Sequence, residues 1–339
     1  MDMVYALNED HGHHQEPGHP ECPERLEAIQ RGIEALPLRR IEGSPATNSE
    51  LLLVHPQTYL HQVETTCQRP AHLDPDTYCT PRSTAVARSA TGNLLAITQA
   101  VLTGNASAGY ALIRPPGHHA TPTHAMGFCL FNNIAIAVRY AQQKGWVRRV
   151  AIVDFDVHHG NGTQDVFYED PHVLFISSHQ YPLYPGTGRA EETGRGPGKG
   201  TTLNIPLPAG TSDEAFLQVY REVVGPVIER FAPDALFISA GYDAHWRDPL
   251  AQMHLSATGF YHVVTYLHTL GKKITGKGPV LTLEGGYDLD ALRTSVRATF
   301  AALSGGKFPF TDDLGPSPYS DVSDLSPLIT HLKTLHQVR

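Results

Sequence analysis

Val150-Ala-Ile-Val-Asp154-Phe-Asp156-Val-His158-His159-Gly160-Asn161-Gly162 opens with four aliphatic residues and runs straight into carboxylates, imidazoles and an amide. Four residues are too few for a helix, and an unbroken, partly β-branched apolar run marks a strand buried on both faces. The polar run therefore lies where such a strand ends. Five further runs share this character, at 110–113, 173–176, 203–205, 235–239 and 280–283. Between them the apolar residues recur at helical spacing. In 84–102, Val86, Leu94, Leu95, Ile97, Val101 and Leu102 make one stripe; 24–36, 132–143, 213–230, 256–270 and 328–335 read alike. Ser212, Asp213 and Ser256 are the expected N-caps, and Gly104, Gly145 and Gly271 the expected stops. Strands alternating with helices predict an α/β fold with a mainly parallel sheet flanked by helices.

Five of the six predicted strand ends carry chemistry. Arg114-Pro-Pro-Gly117-His118-His119 follows 110–113, and Ser177, Ser178 and His179 follow 173–176. Ala240-Gly-Tyr-Asp243-Ala-His245 follows 235–239, and Glu284-Gly-Gly-Tyr287-Asp288 follows 280–283. In a parallel sheet these ends share one edge, where open α/β sheets build their sites. Asp154, Asp156 and His158 alternate along the chain, so in extended backbone they share a face. Asp156, His158 and an Asp243 delivered from another strand supply three N/O ligands with a coordination position left open, the pattern of a catalytic metal. Zn²⁺ and Fe²⁺ both suit such a set. The bland alternative makes the aspartates helix caps and His158 a loop histidine. His118 and His119, on a turn stiffened by two prolines, could be ligands, but suit proton transfer better, since imidazole titrates near neutral pH. Tyr287 could donate to a developing oxyanion, or simply pack in a Gly-Gly turn.

Composition narrows the classes. The 339 residues include 26 Lys/Arg against 34 Asp/Glu, a net charge of −8, which argues against direct nucleic-acid binding. No apolar run approaches the ~20 residues of a membrane span, and the first residues lack the layout of a secretory signal. Cys22, Cys67, Cys79 and Cys129 form no CxxC pair, so a reducing, cytoplasmic setting is expected. Twenty histidines are the anomaly, and they point to metal or acid–base chemistry. With no repeat and no linker, one domain is expected over 1–339, its 304–339 segment wrapping the surface; the oligomeric state stays open. Gly194–Gly200 resembles a phosphate loop but has Thr193 and Gly200 where Gly and Ser/Thr are required, and is read as a loop beside the site. His11, His13, His14 and His19 are read as a polar loop before the 24–36 helix.

Arg114-Pro-Pro-Gly-His-His119, Asp154-x-Asp-x-His-His-Gly-Asn-Gly162, Ser239-Ala-Gly-Tyr-Asp243 and Glu284-Gly-Gly-Tyr287 occur in this order. In this the chain resembles the histone deacetylase and acetylpolyamine amidohydrolase family, from His19-Pro-Glu-Cys-Pro-Glu-Arg-Leu26 to Tyr287. Asn161, where the best-known nuclear enzymes carry Asp, is similar to the second class of the family and to many bacterial members. The resemblance implies an arginase-like fold on an eight-stranded parallel sheet, and a zinc ion on Asp156, His158 and Asp243. It implies His119 as general base and proton donor, His118 as its electrostatic partner, Tyr287 as the carbonyl-polarising phenol, and Asp154 and Asn161 as the groups orienting the two histidines. It further implies a potassium site around Asp154, Asp156, His158, Ser177 and Ser178, and an acyl-chain tunnel at Gly127, Phe128 and Tyr184. Leu250 matches the position where polyamine-directed relatives carry an acidic residue. Asp76 is read as a rim residue for the substrate backbone, or a turn former. The implied reaction is hydrolysis of an N-acetyl or related acyl amide, on acetyl-lysine peptides or proteins or on small acylated amines, releasing acetate. An acetylpolyamine deacetylase is the alternative; His119 and Tyr287 disfavour a non-catalytic acyl-amine-binding module.

Overall fold

All six apolar runs are strands, and short segments with weaker patterning join them. The computed structural model describes residues 2–319 and 324–338. In chain order its strands are β1 (Met3–Leu7), β2 (Arg39–Arg40), β3 (Ala71–Asp74), β4 (Thr77–Cys79), β5 (Ala108–Leu112), β6 (Val150–Asp154), β7 (Val173–Gln180), β8 (Thr202–Leu207), β9 (Ala235–Ala240) and β10 (Val280–Leu283). Eight of them form one sheet in the order β2-β1-β5-β10-β9-β6-β7-β8, and every neighbouring pair is parallel. The expected α/β architecture is the observed one, while β3 and β4 make a separate antiparallel hairpin.

Burial on both faces explains the unbroken apolar character of the central strands. Along β6, Ala151 and Val153 face one apolar layer and Val150 and Ile152 the other. The first layer is closed by helices Glu24–Ile33, Ala257–Thr275 and Leu289–Leu303, through residues such as Leu26, Phe260 and Leu292. The second is closed by Ser83–Leu102 and Asn133–Gln143, through Leu94, Ile97 and Ile134. Register then aligns the chemistry. Ala111, Thr282, Ser239, Asp154 and Ser177 lie in one row across β5, β10, β9, β6 and β7, so the segments following these strands leave the sheet at nearly one level.

Several local expectations change. Ser177, Ser178 and His179 lie inside β7, paired to β8, because that strand runs on to Gln180. The 213–230 helix is interrupted by a wider π turn over Tyr220–Val224. Gly271 does not stop its helix, which runs to Thr275 and ends at left-handed Gly276 (φ 71°), where no side chain has to be accommodated. The Gly194–Gly200 loop precedes β8, at the opposite edge from the polar strand ends; Arg195 N–H donates to the Tyr168 carbonyl there. Of the 304–339 segment, residues 320–323 and 339 lie outside the described ones. In the rest, Asp312 accepts from the Thr258 N–H, and Ile329 and Leu332 of the last helix are buried. Among the described residues no helix is long and apolar enough to cross a membrane.

The N-terminal segment folds over the carboxyl edge of the sheet and is pinned by buried charge. Arg114 donates to both Glu21 oxygens (2.7 and 2.6 Å), and Arg25 lies 3.3 Å from the same carboxylate. All three side chains are fully buried. Burial alone would raise the Glu21 pKa, but the Arg114 guanidinium outweighs it and holds the carboxyl at about 2, below its ordinary 4.5. A carboxyl depressed on folding stabilises the native state above its unfolded pKa and loses that contribution as pH falls towards the folded value. Replacing Glu21 by Gln leaves two buried guanidiniums without a counter-charge and is expected to cost about 3–5 kcal/mol near neutral pH. Denaturant unfolding at about pH 6 and about pH 3 should show the gap between wild type and Glu21→Gln narrowing at the acid end. An equal gap at both would contradict this account.

Candidate active site and metal centre

Four adjacent strands, β5, β10, β9 and β6, lead into the residues expected for metal and catalysis. Asp156, His158 and Asp243 each offer a ligand atom within 4.8 Å of the other two. His158 Nδ1 is 3.1 Å from both Asp156 Oδ1 and Asp243 Oδ2. The carboxylates are also held by peptide N–H donors: Val157 to Asp243 (3.0 Å), and His158 and Gly285 to Asp156 (2.9 and 2.8 Å). Both aspartates are fully buried, whereas the His158 side chain keeps 12 % exposure. Glycines make the room: a Cβ at Gly241 would strike the Asp156 carboxylate, and one at Gly285 those of Asp243 and Asp156. Two desolvated carboxylates and an imidazole converging with an exposed side fit a divalent cation with an open coordination position.

The paired histidines are held differently. His118 Nδ1 lies 2.9 Å from Asp154 Oδ2, and His119 Nδ1 lies 2.8 Å from Asn161 Oδ1. Burial would lower His118, but Asp154 and Asp156 reverse this and push its pKa up to about 10. Burial, reinforced by His118, holds His119 well below the ordinary imidazole value. The two imidazoles thus have opposite protonation preferences, with ring centroids 4.0 Å apart. The Asn161 amide nitrogen donates to Met126 Sδ (3.3 Å), which leaves its oxygen for His119.

A cavity of about 220 Å³ opens at this point. Its lining holds the five residues expected for substrate, Gly127, Phe128, Tyr184, Leu250 and Asp76, together with His119, His158 and Tyr287. Leu183 is the addition. The His119 and Tyr184 rings meet edge to face at 5.2 Å, as do those of Phe128 and Tyr287 at 5.8 Å. Gly127 (φ 54°) lies so close to the His119 ring that any Cβ would collide with it. Asp76 sits on the β3–β4 turn, its N–H donating to Asp74 and its carbonyl 3.3 Å from His19 Nε2. Around the expected potassium position, Asp154 and Ser177 are register partners and the Ser178 hydroxyl donates to the Asp154 carbonyl (3.4 Å).

Two supporting groups were missed from sequence. The Glu284 carboxylate accepts the Gly117 and His118 N–H groups (2.7 and 3.1 Å) and the Ser239 hydroxyl (3.0 Å). Arg25 donates to the Gly286 and Glu284 carbonyls (2.7 and 2.6 Å), and its guanidinium carbon lies 4.9 Å from the Tyr287 ring centroid. Glu284 had a readable signal, a charge ending an apolar strand; Arg25 lay in the His19–Leu26 motif and on an amphipathic helix, neither of which names its partners.

Comparison with known proteins identifies the family. The profile of the histone deacetylase domain matches residues 19–303. The chain is 39 % identical over 325 residues to histone deacetylase 14, chloroplastic, of Arabidopsis thaliana, covering 89 % of this chain and 77 % of that protein. It is 43 % identical over 312 residues to a probable deacetylase of Methanothermobacter thermautotrophicus, covering 90 % and 92 %. The crystal structure of the HDA15 HD domain superposes with a TM-score of 0.90 at 34 % identity, covering 99 % of this chain and 95 % of that one. With the domain profile spanning most of its length, this chain belongs to the histone deacetylase family of hydrolases.

Proposed function

We propose that the protein is a zinc-dependent deacetylase that hydrolyses the acyl amide of acetyl-lysine side chains, or of similar acylated amines, releasing acetate. The observation that carries this reading is the single cavity shared by His119, Tyr287 and His158 with the apolar walls Phe128, Tyr184 and Leu250. Bound to Asp156, His158 and Asp243, zinc supplies Lewis-acid polarisation of a carbonyl and lowers the pKa of water. His119, its Nδ1 occupied by Asn161, offers Nε2 to take the proton of the attacking water and return it to the leaving amine. His118, paired with Asp154, serves as the electrostatic partner of His119, and the Tyr287 phenol donates to the developing oxyanion. The aromatic walls take up an aliphatic linker by apolar contact.

Leu250 offers no charge to a distant ammonium, which favours acetyl-lysine over acetylpolyamines. Iron(II) would suit the same ligands. Potassium is proposed beside the Asp154 carbonyl and Ser177. Four free cysteines support a cytoplasmic location.

Purified protein should release acetate from acetyl-lysine peptides faster than from N-acetylputrescine or N8-acetylspermidine; the reverse order would shift the assignment to a polyamine deacetylase. His119→Ala and Tyr287→Phe are each expected to lower kcat by about 10²–10⁴-fold while bound metal stays stoichiometric by elemental analysis. Asp243→Ala should instead lose the metal. Metal retention in that variant would remove Asp243 from the ligand set.

A further inference from the structure

Tyr287 follows two glycines, Gly285 and Gly286, the latter at φ 115°, so the loop gains no stiffness from side chains at those two positions. Arg25 holds this loop by its carbonyls. Its N–H side is held by Asp248, a side chain in the segment that runs from the ligand Asp243 to the cavity wall at Leu250. Asp248 Oδ2 accepts from the Tyr287 N–H (2.7 Å) and the Asp288 N–H (3.4 Å), and Oδ1 accepts from the Leu250 N–H (3.0 Å). The residue is 6 % exposed. The Leu250 bond is a local turn of the kind any aspartate makes. The two bonds to residues 39 and 40 positions away are not local, and they clamp the peptide that carries the phenol.

We propose that Asp248 is a positioning residue that fixes the Tyr287 phenol over the reacting carbonyl and ties its placement to the Leu250 wall. This rests on the reading of Tyr287 as the carbonyl donor. Removing the buried acceptor leaves those N–H groups without a partner. A phenol freed in this way loses alignment with a charge that develops only in the transition state, so turnover falls more than substrate binding.

The test combines Asp248→Ala, Tyr287→Phe and the double variant, assayed on acetyl-lysine and trifluoroacetyl-lysine peptides with metal content measured throughout. The electron-poor trifluoroacetyl carbonyl needs less polarisation and keeps Tyr287→Phe measurable. Asp248→Ala is expected to lower kcat on acetyl-lysine ~10–100-fold with KM within ~3-fold and metal retained, and to cost under ~3-fold in the Tyr287→Phe background. Asp248→Asn, similar in shape but with one acceptor fewer, should show the same pattern at smaller amplitude and serves if the alanine variant does not fold. Equal losses in both backgrounds, or loss of metal, would overturn the role of Asp248 and leave that of Tyr287 intact. An unimpaired Tyr287→Phe would instead overturn the reading beneath it.

Discussion

Four carboxylates, Asp154, Asp156, Asp243 and Glu284, are buried at the ends of adjacent parallel strands, and the rest of the site is organised around satisfying them. A desolvated carboxylate costs several kcal/mol unless it is met by donors or cations. They are met by different sets of partners. Glu284 is met by two peptide N–H groups and a hydroxyl, Asp154 by His118, and Asp156 and Asp243 by peptide N–H groups and His158. Only the last pair converges on shared space beside an open cavity, which is why the metal reading attaches there and not to the other two.

The same constraint separates the histidines. They are adjacent in sequence and touch in space, yet one faces a carboxylate and the other a neutral amide. Asp154 and Asp156 favour a proton on His118, while burial and the neighbouring His118 disfavour one on His119, inside one low-dielectric pocket where such effects are largest. A carboxylate in place of the Asn161 amide would favour a proton on His119 as well and blunt its capacity as an acceptor.

How much of this was legible follows from what periodicity can report. Strands buried on both faces are continuous apolar runs, so β6, β9 and β10 stood out, and their neighbours in the sheet then placed Asp156, Asp243 and Tyr287 on one edge. β1 (Met3–Leu7) is an apolar run as long as β6 that was passed over at the start of the chain, whereas β2 is an exposed two-residue pair, too short for any pattern to rise above composition. Ser177 and Ser178 were placed beyond a strand that in fact continues, because hydroxyls inside a ladder look like a loop from sequence alone. Arg25, Glu21 and Asp248 act through partners tens to hundreds of residues away, and no local spacing encodes such pairings.

The glycines that let the Gly285 peptide approach Asp156 also strip the Tyr287 loop of side-chain packing that would otherwise hold it. Close backbone approach and rigidity are therefore in conflict at this loop. The conflict is resolved from outside, by Arg25 on the carbonyls and Asp248 on the N–H groups. Arg25 is in turn anchored beside Glu21 and Arg114, so the N-terminal segment is part of the site's framework even though it contributes no metal ligand. The placement of one phenol thus depends on the buried charge balance of a segment more than 250 residues away in the chain.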